Sequence, residues 1–295
     1  MNSISIDNKS KYDIVSSMNI CHLCNSLRIE FFKKTKNRKL LYCPDCRIIH
    51  VEKIKKKRLI PENKFFEEYL SFEKYFNSYF KNCLKIISRY KKGKKLLDVG
   101  CGAGMFLNQA KAKGWSVTGV EPSRKPSFFA KSRGFSIYNS IIEKAKIKPK
   151  SFDAITLFQL VEHLENPINV LKKLRSLLKK DGLLMLTTPN RNSLMGHLLG
   201  KKWFGYYNYE HLFMFDKDSL KFALEKAGFK VIKIYEDDGK SLTPSWVLTR
   251  LSDYYYNHKT FIKGLLNVSR PMWKYFDWIN VREPKVDLVV IAKSN

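Results

Sequence analysis

The chain has 295 residues, enough for one large domain or two unequal ones, and its 44% hydrophobic and 28% charged residues exclude a wholly disordered or collagen-like protein. No apolar run reaches the roughly 18 residues of a membrane-spanning helix. The start, MNSISIDNKSKYDIVSS, lacks the apolar core of a secretory leader, so a cytoplasmic location is expected. The 55 basic and 27 acidic residues leave a net charge of +28; lysines occur in almost every segment and cluster at 33–39, 53–58 and 91–95, so the surplus reads first as compositional bias and second as a polyanion-binding surface.

Residues 1–17 read as a polar tail. Of the six cysteines, four stand as Cys21-His-Leu-Cys24 and Cys43-Pro-Asp-Cys46. Two residues between cysteines let both sulfurs of a tight turn face one point, and two such turns complete a tetrahedron of thiolates, so the spacing predicts a structural Zn2+ held by Cys21, Cys24, Cys43 and Cys46. A disulfide pair would need a secretory context, and a redox C-x-x-C would need a thioredoxin-like βαβ pattern that neither pair has around it. Between the pairs, Arg28-Ile-Glu-Phe-Phe and Lys39-Leu-Leu-Tyr read as a hairpin around a basic turn. His22 and His50 lie near this ribbon without being required as ligands, and Cys83 and Cys101 read as lone thiols.

Residues 18–60 are therefore expected to form a zinc ribbon, with Pro61 opening a connecting helical segment over 61–93. That segment carries Phe65, Tyr69, Phe72, Phe76, Phe80, Leu84 and Ile87 at helical spacing. From residue 94 short β-branched runs alternate with helical stretches. Strands are predicted at 95–99, 116–120, 136–138, 153–158, 183–188, 229–235 and 286–292, with helices over 105–113, 127–133, 167–178 and 217–227. This alternation specifies an α/β, Rossmann-like sheet covered on both faces.

Directly after the first of these strands stands Asp98-Val-Gly100-Cys101-Gly102-Ala-Gly104. Glycines there allow a sharp turn and a close approach of backbone to ligand. The third glycine comes one residue too early for a dinucleotide fingerprint, and no P-loop Gly-Lys-Ser/Thr follows. Glu121, at the tip of the second strand, is placed to accept hydrogen bonds from two ribose hydroxyls.

The stretch Leu96–Gly104 resembles motif I of the class I S-adenosylmethionine-dependent methyltransferases, Glu121 their ribose-binding acid, 152–167 their fourth-strand motif and Gly228-Phe-Lys-Val their sixth strand. The resemblance covers residues 94–295 and implies a seven-stranded sheet of order 3-2-1-4-5-7-6 with the last strand antiparallel. It further implies that Asp98 meets the methionine amino group, that Gly100, Cys101 and Gly102 line methionine and ribose, and that Gly104 makes the turn. Asn139, Ser140 and Ile141 would lie beside adenine, and Phe158 and Gln159 would face the sulfonium.

The ribbon, the connecting helix, Glu162-His163-Leu164 and the aromatic stretch 203–218 resemble a bacterial subgroup associated with surface-polysaccharide, glycan and small-molecule biosynthesis. The expected reaction is O-methylation of a sugar or related acceptor, with the aromatic side chains of the stretch either set against the sugar ring or packing a lid. His163 or His211 would act as base, since neutral histidine has an unperturbed pKa of about 6.5, and Glu162 would orient or assist. Gln159 stands where some relatives carry the first acid of a Glu-x-x-Glu-His cation site, so metal-independent chemistry is expected. Two alternatives stand beside this: a ribosomal-RNA base methyltransferase with the ribbon as its nucleic-acid module, and a non-catalytic scaffold. An aromatic, basic insert at 239–284 has the composition of a peripheral membrane contact at the inner face, a lid or a dimer contact.

Overall fold

The computed structural model describes residues 20–35, 38–54, 66, 70, 73–91, 93–237, 241–242, 281–282 and 286–294. The polar tail and most of the aromatic insert lie outside these. The insert's described ends, β11 (Ser241–Leu242) and β12 (Val281–Arg282), pair antiparallel. No helix among the described residues is long and apolar enough to cross a membrane.

The N-terminal strands β1 (Glu30–Lys34), β2 (Lys39–Tyr42) and β3 (Ile49–Val51) pair antiparallel in chain order, as the hairpin pattern predicts. Helix α1 (Glu73–Tyr90) follows. Then come β4 (Lys95–Val99), α2 (Met105–Ala112), β5 (Ser116–Val120), α3 (Arg124–Ser132), β6 (Ser136–Tyr138), β7 (Phe152–Phe158), α4 (Pro167–Leu177) and β8 (Leu178–Pro189). The short helix α5 (Leu194–Leu199), β9 (Phe213–Met214), α6 (Lys217–Lys226), β10 (Phe229–Glu236) and β13 (Asp287–Ser294) complete the chain. The seven-stranded sheet runs β6-β5-β4-β7-β8-β13-β10, which is the expected 3-2-1-4-5-7-6, and β13 is antiparallel to both neighbours. Two elements start earlier than their pattern indicates: α3 begins at Arg124 behind Ser123, and β8 already begins at Leu178.

Period-two alternation divides the strands between two cores. Leu97, Val99, Ile155, Leu157, Leu184 and Leu186 pack with Val170, Leu171 and Leu174 of α4 and with Leu220 and Leu224 of α6. Their neighbours Leu96, Ala154, Leu183 and Met185 face the other way, onto Phe80, Leu84 and Ile87 of α1 and Met105, Phe106 and Leu107 of α2. The connecting helix thus packs on the α/β domain as one of its walls.

The ribbon is likewise built into the larger unit. Strand β3 pairs with β9, Ile49 against Met214 and His50 against Phe213, so the ribbon sheet is closed by a strand from the segment after β8. Trp203, fully buried, packs there with Leu40, Ile49, Val51, Tyr206 and Met214. Replacing Trp203 by Ala removes the largest side chain of this interface and should lower the unfolding free energy by about 3–5 kcal/mol, read from urea denaturation followed by circular dichroism.

Candidate functional site

The four ribbon cysteines are all reduced and converge. The Sγ atoms of Cys21 and Cys46 are 3.5 Å apart, as are those of Cys24 and Cys43, and all four lie within 4.8 Å of one another. Four thiolates about 2.3 Å from one zinc ion stand about 3.8 Å apart, so the cluster fits that metal. In both turns the residue after the second cysteine, Asn25 or Arg47, is left-handed (φ 65° and 60°). The amides of Leu23 and Cys24 point at Cys21 Sγ from 3.4 and 3.5 Å. The hydrogen bond from Cys46, with these amides, outweighs burial and holds the Cys21 thiol well below its ordinary range. His22 Nε2 meets the Glu52 carbonyl at 3.1 Å, and His50 Nδ1 the Val51 carbonyl at 2.8 Å, while His50 also contacts Cys21 and helps to lower its thiol.

A second site lies where β4, β5 and β7 end together. The parallel register sets Asp98 beside Gly119 on one side and Thr156 on the other. Thr156 Oγ1 donates to Asp98 Oδ1 at 2.7 Å, and Asp98 is buried. Gly100, Gly102 and Gly104 all have positive φ, of 75°, 51° and 80°. At Gly104 a Cβ would stand 2.9 Å from the Phe135 ring in addition to the left-handed strain, so only glycine closes this turn before α2. The amides of Gly100 and Cys101 both donate to the Val120 carbonyl, at 2.8 and 3.2 Å.

Glu121 accepts from the Gly102 amide at 3.0 Å and the Ser123 amide at 2.8 Å, one bond per carboxylate oxygen. Each oxygen keeps a further lone pair for a hydroxyl donor. Asn139 Nδ2 donates to the carbonyls of Glu121 and Pro122, at 2.9 and 3.0 Å, tying the end of β6 to this acid. Ser140, expected beside adenine, donates its hydroxyl to the Ile141 carbonyl. Phe158 joins a cluster of rings, with centroids 4.7 Å from Phe106 and 5.3 Å from Phe80. Gln159 is held at φ 52°, its amide donating to the Thr187 carbonyl at 3.0 Å and its side chain to Thr187 Oγ1 at 3.3 Å. A non-glycine residue in that conformation is strained backbone at the edge of the site.

The turn after Gln159 brings the third group. Leu160 packs within reach of Gly100, so a Cβ there would meet Leu160 at 3.1 Å. Glu162 and His163 follow in a single turn, Val161–His163. Glu162 is buried, accepts from Thr188 Oγ1 at 2.9 Å, and its other oxygen is 3.8 Å from His163 Nε2. His163 Nδ1 faces the Glu210 carbonyl at 2.8 Å; a carbonyl only accepts, so Nδ1 carries a hydrogen, and in the neutral ring Nε2 carries the lone pair. Asn208 Oδ1 accepts from the Glu210 amide, which turns Asn208 Nδ2 toward His211 Nε2 at 2.9 Å. The two imidazoles meet edge to face at 5.0 Å. Glu162, His163 and His211 each offer one ligand atom within 4.8 Å of the others, a grouping that could also hold a metal ion.

Spacing did not reveal Thr156, Thr188 or Asn208, because each acts through register or tertiary contact. The aromatic stretch after β8 also differs from expectation. Trp203, Tyr206, Phe213 and Phe215 are buried, because the ribbon packs on them; only Phe204 and Tyr209 of that group present exposed rings. Faces that had been expected to meet a sugar ring instead pack against the ribbon.

A sheet of this order, with a glycine turn after its first strand and an acid at the tip of its second, defines the class I S-adenosylmethionine-dependent methyltransferase fold. The family profile described as "Methyltransferase domain" matches residues 71–234, more than half of the chain, and the chain belongs to that family. Ubiquinone biosynthesis O-methyltransferases are among its relatives. The protein of Dechloromonas aromatica is 38% identical over 107 residues, which is 34% of this chain and 46% of that protein. That of Photobacterium profundum is 30% identical over 108 residues, with the same two shares. The chain thus spans about half the length of the curated relatives it matches. Solved structures share the fold: a SAM-dependent methyltransferase of Thermotoga maritima has a TM-score of 0.53 at 18% identity, covering 79% of this chain and 98% of its own. One of Archaeoglobus fulgidus has a TM-score of 0.51 at 24% identity, covering 77% and 99%.

Burial, opposed by the Thr156 bond and reinforced by the charge of Glu121, raises the Asp98 carboxyl to about 7. Because the folded-state value lies above the unfolded one of about 4, ionised Asp98 lowers stability progressively between those two pH values and by a constant amount above them. Asp98→Asn should therefore melt above the wild type on the alkaline side of neutrality, with the difference vanishing as pH falls toward 4. Thermal denaturation across a pH series checks this, and a pH-independent difference would contradict the assignment.

Proposed function

We propose that the protein is an S-adenosylmethionine-dependent O-methyltransferase acting on a hydroxyl of a small-molecule acceptor, with a sugar or glycan hydroxyl placed first and a phenolic one second. The observation that carries this is the Glu162–His163 pair: a histidine with a defined Nε2 lone pair, beside a buried carboxylate, on the turn that packs against Gly100. The names of the curated relatives support oxygen as the receiving atom. Three cations of the ribbon's basic cluster, Lys33, Arg38 and Lys39, are engaged within the protein, which weighs against the RNA reading. Lys33 Nζ donates to Tyr207 OH at 2.7 Å, Lys39 pairs with Glu52 at 2.6 Å, and Arg38 binds three main-chain carbonyls.

In this reading Asp98 takes the amino group of the cofactor, Glu121 its ribose hydroxyls and the Gly100–Gly102 backbone its length, with Ser140, Phe158 and Gln159 around them. Bound S-adenosylmethionine supplies a methyl group already activated by the sulfonium. What remains for the chain is to hold the acceptor hydroxyl in line and take its proton. His163 Nε2 receives that proton, and the Glu162 carboxylate stabilises the imidazolium that results. His211 packs on His163 and walls the same space.

A second reading rests on the convergence of Glu162, His163 and His211, which could place a divalent cation beside the hydroxyl instead. Turnover against a panel of nucleotide-sugars, glycans and catechol-type phenols identifies the acceptor. His163→Asn should then lower turnover by about 10²-fold or more, with no response to chelator or added Mg2+. Activity abolished by chelation and restored by the ion would establish the second reading, and near-normal turnover of His163→Asn without any ion dependence would overturn both.

The ribbon is assigned one structural zinc on Cys21, Cys24, Cys43 and Cys46. Elemental analysis of protein purified without added metal should give one zinc per chain, and Cys21→Ser should lose it together with thermal stability. A Cys21→Ser chain with full metal content would mean that the four sulfurs do not hold it.

A further inference from the structure

The basic turn of the ribbon hairpin reaches into the site from outside the methyltransferase sheet. Arg38 Nη1 donates to the His211 carbonyl at 2.6 Å, and Nη2 donates to the Tyr206 carbonyl at 2.7 Å and the Gly205 carbonyl at 3.5 Å. These acceptors stand at the two ends of one short segment. Inside that segment lie the groups that orient both rings: Asn208, whose amide meets His211 Nε2, and the Glu210 carbonyl, which meets His163 Nδ1. The next residue continues the connection. The Leu212 carbonyl accepts from the Val51 amide of β3 at 3.0 Å, and the Leu212 amide donates to the Glu162 carbonyl at 2.8 Å. The ribbon sheet is thereby coupled through one residue to the turn that carries Glu162 and His163.

We propose that Arg38 is a positioning residue for the two histidines: its planar fork clamps both ends of segment 205–211, and the segment sets the tautomer of each imidazole. The ribbon therefore organises the acceptor side of the catalytic site, which explains why its metal cluster is joined to a methyltransferase without contributing an open coordination position. This rests on the reading of His163 and His211 as the residues that handle the acceptor proton. A guanidinium suits the task because it binds two carbonyls in fixed relative orientation, whereas an ammonium is a single point of charge.

The test uses the full chain labelled with 15N, with long-range proton–nitrogen spectra of the imidazole rings and calorimetry with S-adenosylhomocysteine. In the wild type, His163 and His211 should each show a single tautomer with hydrogen on Nδ1. Arg38→Ala should convert both to tautomer mixtures while zinc content is retained and S-adenosylhomocysteine affinity stays within about twofold. Arg38→Lys should fall between the two. Unchanged imidazole signals in Arg38→Ala would overturn the proposal, as would a loss of cofactor-product affinity accompanying the tautomer change. If Arg38→Ala does not fold, Arg38→Lys carries the test, and a wild-type tautomer pattern there overturns it. A tautomer change in Arg38→Ala combined with normal turnover of His163→Asn would keep the clamp and remove the base assignment, so the two readings fail separately.

Discussion

The parallel register of β4 between β5 and β7 is the constraint on which the site depends. It ends three strands at one edge and sets Asp98 beside Thr156 and next to the glycine turn. A buried carboxylate in an otherwise apolar strand is costly without a hydrogen-bond donor. One residue of slip in β7 would exchange Thr156 for Ile155 or Leu157, leaving Asp98 without that donor, and would send the apolar set of β7 to the wrong core. Burial of both sheet faces therefore fixes the register, and the register fixes the chemistry of the edge.

The group of Glu162, His163 and His211 is built differently. Its members come from irregular backbone after β7 and β8, and such segments need external support to keep side chains oriented. The ribbon provides it through three kinds of contact: the β3–β9 pairing, the apolar packing around Trp203, and the Arg38 fork. A small hairpin whose four cysteines converge is suited to this, because coordination of a metal there would make it rigid at a size too small for a core of its own.

The local features of the site were legible in the sequence. Closely spaced cysteines, clustered glycines and an acid at a strand tip each declare their geometry over a few residues, and the strand alternation supports the sheet order that the methyltransferase resemblance implies. Contacts across long separations were not legible. Thr156 is one more β-branched residue in a strand until its register is known, and Asn208 and Arg38 act only once the ribbon is docked. The aromatic stretch shows the converse: its composition fits either a packed interface or a ligand wall, and only the ribbon's position buries Trp203 and Tyr206 while leaving Tyr209 exposed. The connecting helix was expected to pack on the domain that follows, but its periodicity does not reveal which face of the sheet it covers.

Charge is arranged on two scales that oppose one another. The chain as a whole carries +28, yet three carboxyls, Asp98, Glu121 and Glu162, are buried around the site beside a single buried histidine, His211. Surface cations are screened by salt over about 8–10 Å, whereas buried carboxylates act through a medium of lower effective dielectric constant. The field felt in the site is therefore set by three carboxyls rather than by fifty-five dispersed cations. Burial and the neighbouring charge of Glu121 raise the Asp98 carboxyl against the pull of the Thr156 bond, the direction that a negative local field gives and the opposite of what the net charge of the chain would give.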